Sequence, residues 1–355
     1  MIFRPSTIRF KLLCTSLTYL LITIDVTGCR RASPNPGSGT PLPPGALIAV
    51  IGPSQAYPNW PGIQGGAELY GRRPYLNCLT RAPETDQPED LLEVVEEVIK
   101  RGVLAVCLCV DKPKIALPAA QRIAETGILL VTVGQPLEDV NTFGHVSVDF
   151  GSGAALLGEK LDSIAAGRLS YVLVHEKGRN RDASLRYNRF MSMAHSRSTL
   201  RLLEQRNAAE SDRSQQELIE ELRQRFTHVG LIVTLNPDPW LSLEPRNQLP
   251  TDNRFATLAA PPRLWPRLIA GEAAALVGPL DGEIGFSAVE MAVTGLMNIP
   301  DAPRLKIIQC HLVTPDNLGD FVKQYAEAAG LDLADLLPFG LASQPASPGV
   351  NADSP

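Results

Sequence analysis

The chain has 355 residues, 33 basic and 38 acidic side chains, a formal net charge of −5 and 44% hydrophobic residues. A length of this order carries two apolar cores, and an acidic balance without a basic cluster excludes nucleic acid as a partner. Neither HExxH nor GxSxG occurs and the five histidines stand at no metal-ligand spacing, so no metal, no cofactor and no catalytic residue is expected. At the start, Arg4, Arg9 and Lys11 precede an apolar run, Leu12 to Ile24, too short to span a bilayer comfortably. Residues 1–28 therefore read as an export signal. Removing them takes away three basic and one acidic residue and leaves 30 against 37, a net charge of −7. The Pro/Gly/Ser tract that follows, residues 29–45, reads as a flexible tether.

Beyond the tether, apolar runs alternate with helical patterns. "ALIAVIG" is followed by a Gly-rich helix near Ile63 to Tyr70, then "PYLNCLT" by "EDLLEVVEEVIKRG", in which Leu91, Leu92, Val95, Val98 and Ile99 form one stripe and Gly102 suits the stop. "VLAVCLCV", a helix from Lys114 to Thr126 and "ILLVTVG" continue the alternation, with Cys107 and Cys109 as small hydrophobes on one strand face. After "HVSVDF" a second series runs through "SYVLVHE", "TLRLLEQ", "HVGLIVTLN", "FATLAA" and "AAALVGPL". Near-continuous apolar strands separated by helices indicate parallel sheets covered on both faces. The expected fold class is α/β, with two doubly wound lobes. The spacing of Cys78, Cys107, Cys109 and Cys310 specifies no disulfide. The tail 340–355, small and polar, is expected to be disordered.

Two resemblances sharpen this reading. Val26-Thr27-Gly28-Cys29 resembles the bacterial lipobox, which implies lipidation of Cys29 and a lipid anchor in the membrane. "IAVIGPSQAYPNWPGIQGGAEL", "VIKRGVLAVCLCVDKPKIALPAAQRIAETGILLVTVG" and "HVSVDFGSGAALLGEKL" resemble the first lobe of the ribose-binding type of periplasmic sugar-binding proteins, in lipoprotein form. The resemblance covers about Leu47 to about Pro315 and rests on the order and spacing of elements. It implies a periplasmic binding protein-like I fold with a three-strand hinge. The first lobe would be 46–148 plus 280–308 and the second 149–279 plus 309–339, with ligand in the cleft at the carboxyl ends of the strands. The resemblance also implies a place at the periplasmic side of the cell envelope and a partner that is an ABC transporter permease or a sensor.

Carried over residue by residue, the resemblance puts Trp60 where an aromatic ring stacks on a sugar face, with Tyr57 as a polar cleft residue beside it. Arg186 matches a forked donor from the second lobe and Asn236 an amide that donates and accepts. The competing readings are local packing of Trp60 and Tyr57 beside Pro58 and Pro61, and a solvated helix face for Arg186. Where the family has an acid and an arginine after the fourth strand, this chain has Gly134 and Gln135; Gln135 is retained as a candidate ligand contact. Ala260 replaces an expected aspartate and Pro279 an expected glutamine, so several hydroxyl-reading groups are missing. The segment Pro237 to Asp252 carries four prolines where the family has a helix, and its Trp240 either adds a ring to the cleft or covers the lobe's edge.

The expected function is therefore capture of a small polar, sugar-like ligand by an exported binding protein that is not an enzyme. The alternative is a lipoprotein interaction module that kept the fold and lost the ligand. A nucleotide-dependent enzyme finds only weak support in "GSGAALLG", whose third glycine is misplaced for a dinucleotide loop. A transcriptional repressor with these lobes would carry a helix-turn-helix where this chain has its export signal.

Overall fold

In the computed structural model, residues 39–336 are described, apart from 166, 212–213, 227–228, 237–239 and 242–253. The export signal, Cys29, the tail 340–355 and most of the proline-rich segment lie outside the described residues. In chain order the first series is β1 (Ala46–Ile51), α1 (Trp60–Gly71), β2 (Leu76–Arg81), α2 (Pro88–Lys100), β3 (Ala105–Val110), α3 (Pro113–Glu125), β4 (Leu129–Gly134) and β5 (Gly144–Val148). The second is α4 (Phe150–Ile164), β6 (Leu169–His175), α5 (Arg181–His195), β7 (Leu200–Asn207), α6 (Gln215–Arg225), β8 (Leu231–Thr234), β9 (Arg254–Thr257), α7 (Trp265–Ile269) and β10 (Ala273–Gly278). The chain ends with α8 (Asp281–Leu296), β11 (Leu305–Ile308), β12 (His311–Val313), α9 (Leu318–Ala329) and α10 (Leu333–Leu336).

The strands form two six-stranded sheets, ordered β11-β5-β4-β3-β1-β2 and β12-β10-β9-β8-β6-β7. All pairs are parallel except β10 with β12. Every residue of β3, β8 and β10 is buried, as strands covered by helices on both faces must be. In the first lobe α2 and α3 cover one face while α1 and α8 cover the other. In the second, α4 and α5 lie on one face, and α6, α7 and α9 on the other. The chain crosses between sheets after β5, after β10 and after β11.

Local chemistry fixes the helix ends near these crossings. Asp149 caps α4 by accepting from the Ser152 N–H at 2.9 Å, and Asn180 caps α5 by accepting from the Ala183 N–H at 2.7 Å. Ser214 and Glu217 form a reciprocal capping box on α6. Residues 39–45, the described end of the expected tether, lie against the first lobe. Thr40 N–H donates to the Met297 carbonyl at 2.6 Å, and Leu42 packs on the core. All four apolar clusters are built from residues between Leu42 and Leu336, so the body from Gly39 onward carries its own cores. Cys78, Cys107, Cys109 and Cys310 are free thiols.

Candidate functional site

In a doubly wound sheet, loops diverge where the strand order reverses, leaving a crevice outside the carboxyl ends of the strands. Here the reversals fall between β1 and β3 in one lobe and between β6 and β8 in the other. Asp111 follows β3 directly, Asn236 follows β8 by two residues, and Arg186 projects from α5, which begins in the loop after β6.

Charge from the second lobe reaches Asp111 of the first. The backbone N–H of Gln135 donates to the Val110 carbonyl at 2.9 Å, which sets the start of its loop beside Asp111. Asp111 is exposed to solvent, yet packing around its carboxyl raises its pKa, while Lys112 from its own lobe and Arg179 and Arg186 from the other pull it down. Lys112 is in turn hydrogen-bonded to Asp86, whose carboxyl it holds below the usual range. Arg186 donates Nε to Asp182 at 3.0 Å and Nη1 to the Leu235 carbonyl at 3.2 Å, and its guanidinium lies 4.4 Å from the Phe150 ring centre. So held, the fork is no solvated helix face: its side chain is 16% exposed.

Next to Leu235 stands Asn236, 5% exposed, whose Oδ1 and Nδ2 both lack a hydrogen-bond partner among the described residues. A buried amide left in this state costs about 1–3 kcal/mol per unsatisfied group, so it is suited to a polar guest that donates and accepts.

Trp60 opens α1 and is 6% exposed, with one ring face laid on Gly52. Its accessible edge contributes to a recess of about 320 Å³ with Gln55, Gln64, Thr80 and Arg81. Tyr57 is half-buried against the first-lobe core. Thus the charge of Arg186 reaches Asp111, Gln135 is held by its backbone next to the end of β3, and Asn236 adjoins the Leu235 carbonyl that holds Arg186, whereas Trp60 and Tyr57 lie toward the β2 side. A second recess, of about 380 Å³, opens at the ends of β6 and β7 beside Lys177, Arg179 and Glu210.

Asp111 and Arg179 are absent from the sequence-based set. A charged residue immediately after a fully apolar parallel strand is the signal that marks Asp111. Gly134 has φ 91, and a Cβ there would stand 2.8 Å from the Val110 carbonyl oxygen, so an acidic side chain is strained at that position. Trp240 covers the second lobe's edge. It stacks on Phe255 at 4.0 Å and donates Nε1 to Thr234 at 2.9 Å, while the buried Arg267 donates to its carbonyl at 2.8 Å.

Beneath the cleft Asp281 fastens residues of both lobes. Asn59, from the first lobe, donates to Asp281 Oδ1 at 2.7 Å, and Tyr325, from α9 in the second, donates to Oδ2 at 3.0 Å. Asp281 is 1% exposed, and burial pushes its pKa up to about 7 against both hydrogen bonds. Beside it α1 meets α8 and α9 almost backbone to backbone. A Cβ on Gly66 would stand 1.9 Å from the Gly282 oxygen, and one on Gly65 2.1 Å from the Ala329 oxygen.

Residues 48–297 match the family described as periplasmic binding protein domain. Among solved structures, the arabinose-binding protein AraP of Geobacillus stearothermophilus is similar at 12% identity and a TM-score of 0.66, covering 79% of this chain and 99% of its own. A solute-binding protein of Actinobacillus succinogenes 130z with bound D-allose gives 13% identity, a TM-score of 0.65 and coverage of 77% and 99%. The XylFII–LytSN complex gives 15% identity, a TM-score of 0.58 and coverage of 78% and 100%. No curated protein matches the sequence. With two parallel α/β lobes, and a family match over most of its length, the chain belongs to the periplasmic binding protein domain family.

Proposed function

We propose that this is an exported solute-binding protein, not an enzyme, that closes its lobes on a small polar, sugar-like ligand between Asp111 and Gln135 on one side and Arg186 and Asn236 on the other. The observation that carries the reading is the buried, unpartnered amide of Asn236 beside the anchored Arg186. One acid, one fork and one amide suit vicinal hydroxyls: the carboxylate accepts, the guanidinium donates and the amide does both. The sugars named for the similar structures, arabinose and D-allose, are ligands of this kind. Delivery to an ABC-type permease or presentation to a sensor are both open to such a protein.

Asn236→Leu separates function from stability. It removes an amide that makes no hydrogen bond to a described residue, so the ligand-free protein should gain about 1–3 kcal/mol in denaturant unfolding. In the same variant the parent's ligand should lose about tenfold or more in affinity. The ligand is found by a thermal-shift screen of the body against sugars, polyols and nucleosides, where saturation at about 100 times Kd stabilises by about 2.7 kcal/mol. A variant that loses stability and binds as the parent does would place the site elsewhere. No shift across the screen would favour an interaction module, the reading that Ala260 and Pro279 support.

We also propose that Cys29 carries the lipid anchor at the periplasmic side of the cell envelope. Cys29→Ser should abolish acyl labelling of the full chain and its retention in the membrane fraction; retention of both would refute the anchor.

A further inference from the structure

In parallel sheets flanked by helices, the amino ends of the strands and the carboxyl ends of the helices share one face, opposite the ligand crevice. In the first lobe this face is unusual in composition. Tyr75, 75% exposed, precedes β2; Leu104, 37%, precedes β3; Ile299, 37%, and Leu305, 56%, stand where the chain enters β11. The sheet order places Tyr75 and Leu305 at opposite ends of a row of six strands, roughly 24 Å across at about 4.8 Å per strand.

Between them lie exposed cations: Arg72 and Arg73 after α1, Lys100 and Arg101 ending α2, and Arg304 before β11. Arg73 lies 3.6 Å from the Tyr70 ring centre and Arg304 4.9 Å from that of Phe143, which fixes both guanidinium groups at the surface. Acids near this face are Glu125, 3.7 Å from Arg122, Asp301, and Glu290 of α8, whose charge acts on the Tyr70 phenol beside Arg73; Glu97, a turn inward, pairs with Arg101 at 2.7 Å. On a chain of net charge −5, this face is locally basic. Tyr75 has φ 72, a backbone state uncommon for an aromatic residue.

The chain enters the folded body at the same face, where Thr40 N–H bonds to the Met297 carbonyl beside Ile299. Cys29 precedes Gly39 by ten residues, a reach of at most about 35 Å. A lipid on Cys29 would hold this face, and not the cleft, nearest the bilayer. Exposed apolar tips, an amphipathic tyrosine and a ring of cations match the interfacial zone of an anionic membrane, where each nearby cation adds attraction.

We propose that the amino-end face of the first lobe, centred on Arg72, Arg73, Tyr75, Leu104, Arg304 and Leu305, docks on an anionic lipid surface. For proximity the inference rests on the anchored reading, but the affinity belongs to the face itself. The body Gly39–Pro355, which lacks Cys29, is sedimented with vesicles of phosphatidylcholine alone and of phosphatidylcholine mixed with phosphatidylglycerol. Binding is expected to the mixed vesicles only and to weaken with salt. Arg72→Gln with Arg73→Gln should reduce it roughly thirtyfold. Tyr75→Gly, which relieves the positive φ while removing the ring, should reduce it further at unchanged melting temperature.

Equal binding to both vesicle types, or no effect of the three substitutions, overturns the proposal. So does a body that ignores mixed vesicles at low salt, which would leave the face to an acidic protein. Acyl labelling of the full chain reports the anchor separately. An acylated chain whose body ignores vesicles loses only the docking face; an unacylated chain whose body binds them loses only the anchor.

Discussion

Asp281→Asn is expected to flatten the fall in stability that the parent shows between about pH 4 and pH 7, and to leave the variant about 4 kcal/mol more stable at pH 8. The carboxyl has an ordinary value of 3.8 and stands at about 7 in the folded chain, with burial as the first cause. Between those values the folded state holds a proton that the unfolded state has released, so unfolding sheds it and stability falls as pH rises. A shift of about three units is worth about 4 kcal/mol at 1.36 kcal/mol per unit. Asparagine keeps the shape: its oxygen accepts from Asn59 and its amide donates to the Tyr325 oxygen, as the protonated acid does.

The nearby titratable groups do not confuse the comparison. Burial and Asp281 itself hold the Tyr325 phenol well above its ordinary value, and burial pushes the Cys310 thiol up to about 12, so both stay neutral. Asp111, also raised by desolvation, contributes equally to parent and variant. Denaturant unfolding at pH 5 and pH 8 decides the matter; parallel pH profiles for the two proteins would mean that Asp281 is not the titrating group.

Gly66→Ala and Gly285→Ala should each destabilise by about 3 kcal/mol or more, with loss of soluble expression as the extreme. Helix propensity alone would make alanine better than glycine by about 1 kcal/mol at both positions, so the sign of the change reads out the packing. A Cβ on Gly66 meets the Gly282 oxygen at 1.9 Å, and one on Gly285 meets the Ile63 oxygen at 1.8 Å, both backbone atoms that no rotamer change can move. Gly319, in α9 with open space around it, is the control: alanine there should be neutral or stabilise slightly. If Gly66→Ala behaved like Gly319→Ala in thermal unfolding, α1 and α8 would not touch as described.

Much of this was legible in the residue order. "VLAVCLCV" is apolar throughout because β3 is covered on both faces, and the Leu91, Val95 and Val98 stripe is the face α2 buries. Cys107 and Cys109 alternate onto the opposite face and join the core under α1 and α8. What the sequence hides is contact between distant residues. Asn59 and Asp281 are 222 positions apart, so nothing local marks the acid at the start of α8 as buried. Likewise the choice for Trp240 between cleft and edge depended on Phe255 and Arg267, which approach it only once the second sheet is assembled.

The three crossings between sheets have a consequence for how the protein is made. The first sheet takes its outer strand β11 from residues 305–308, and its inner face is closed by α8 from residues 281–296. Until those segments leave the ribosome, Ile48, Val50 and Val131 have only α1 for cover on that side. Neither lobe is an uninterrupted length of chain, so an amino-terminal half cannot settle into a finished unit while the rest is being synthesised. Nascent chains ordinarily fold domain by domain from the amino end. Here that sequence of events is deferred until nearly the whole polypeptide has emerged, so the newly made chain stays incompletely folded over that interval.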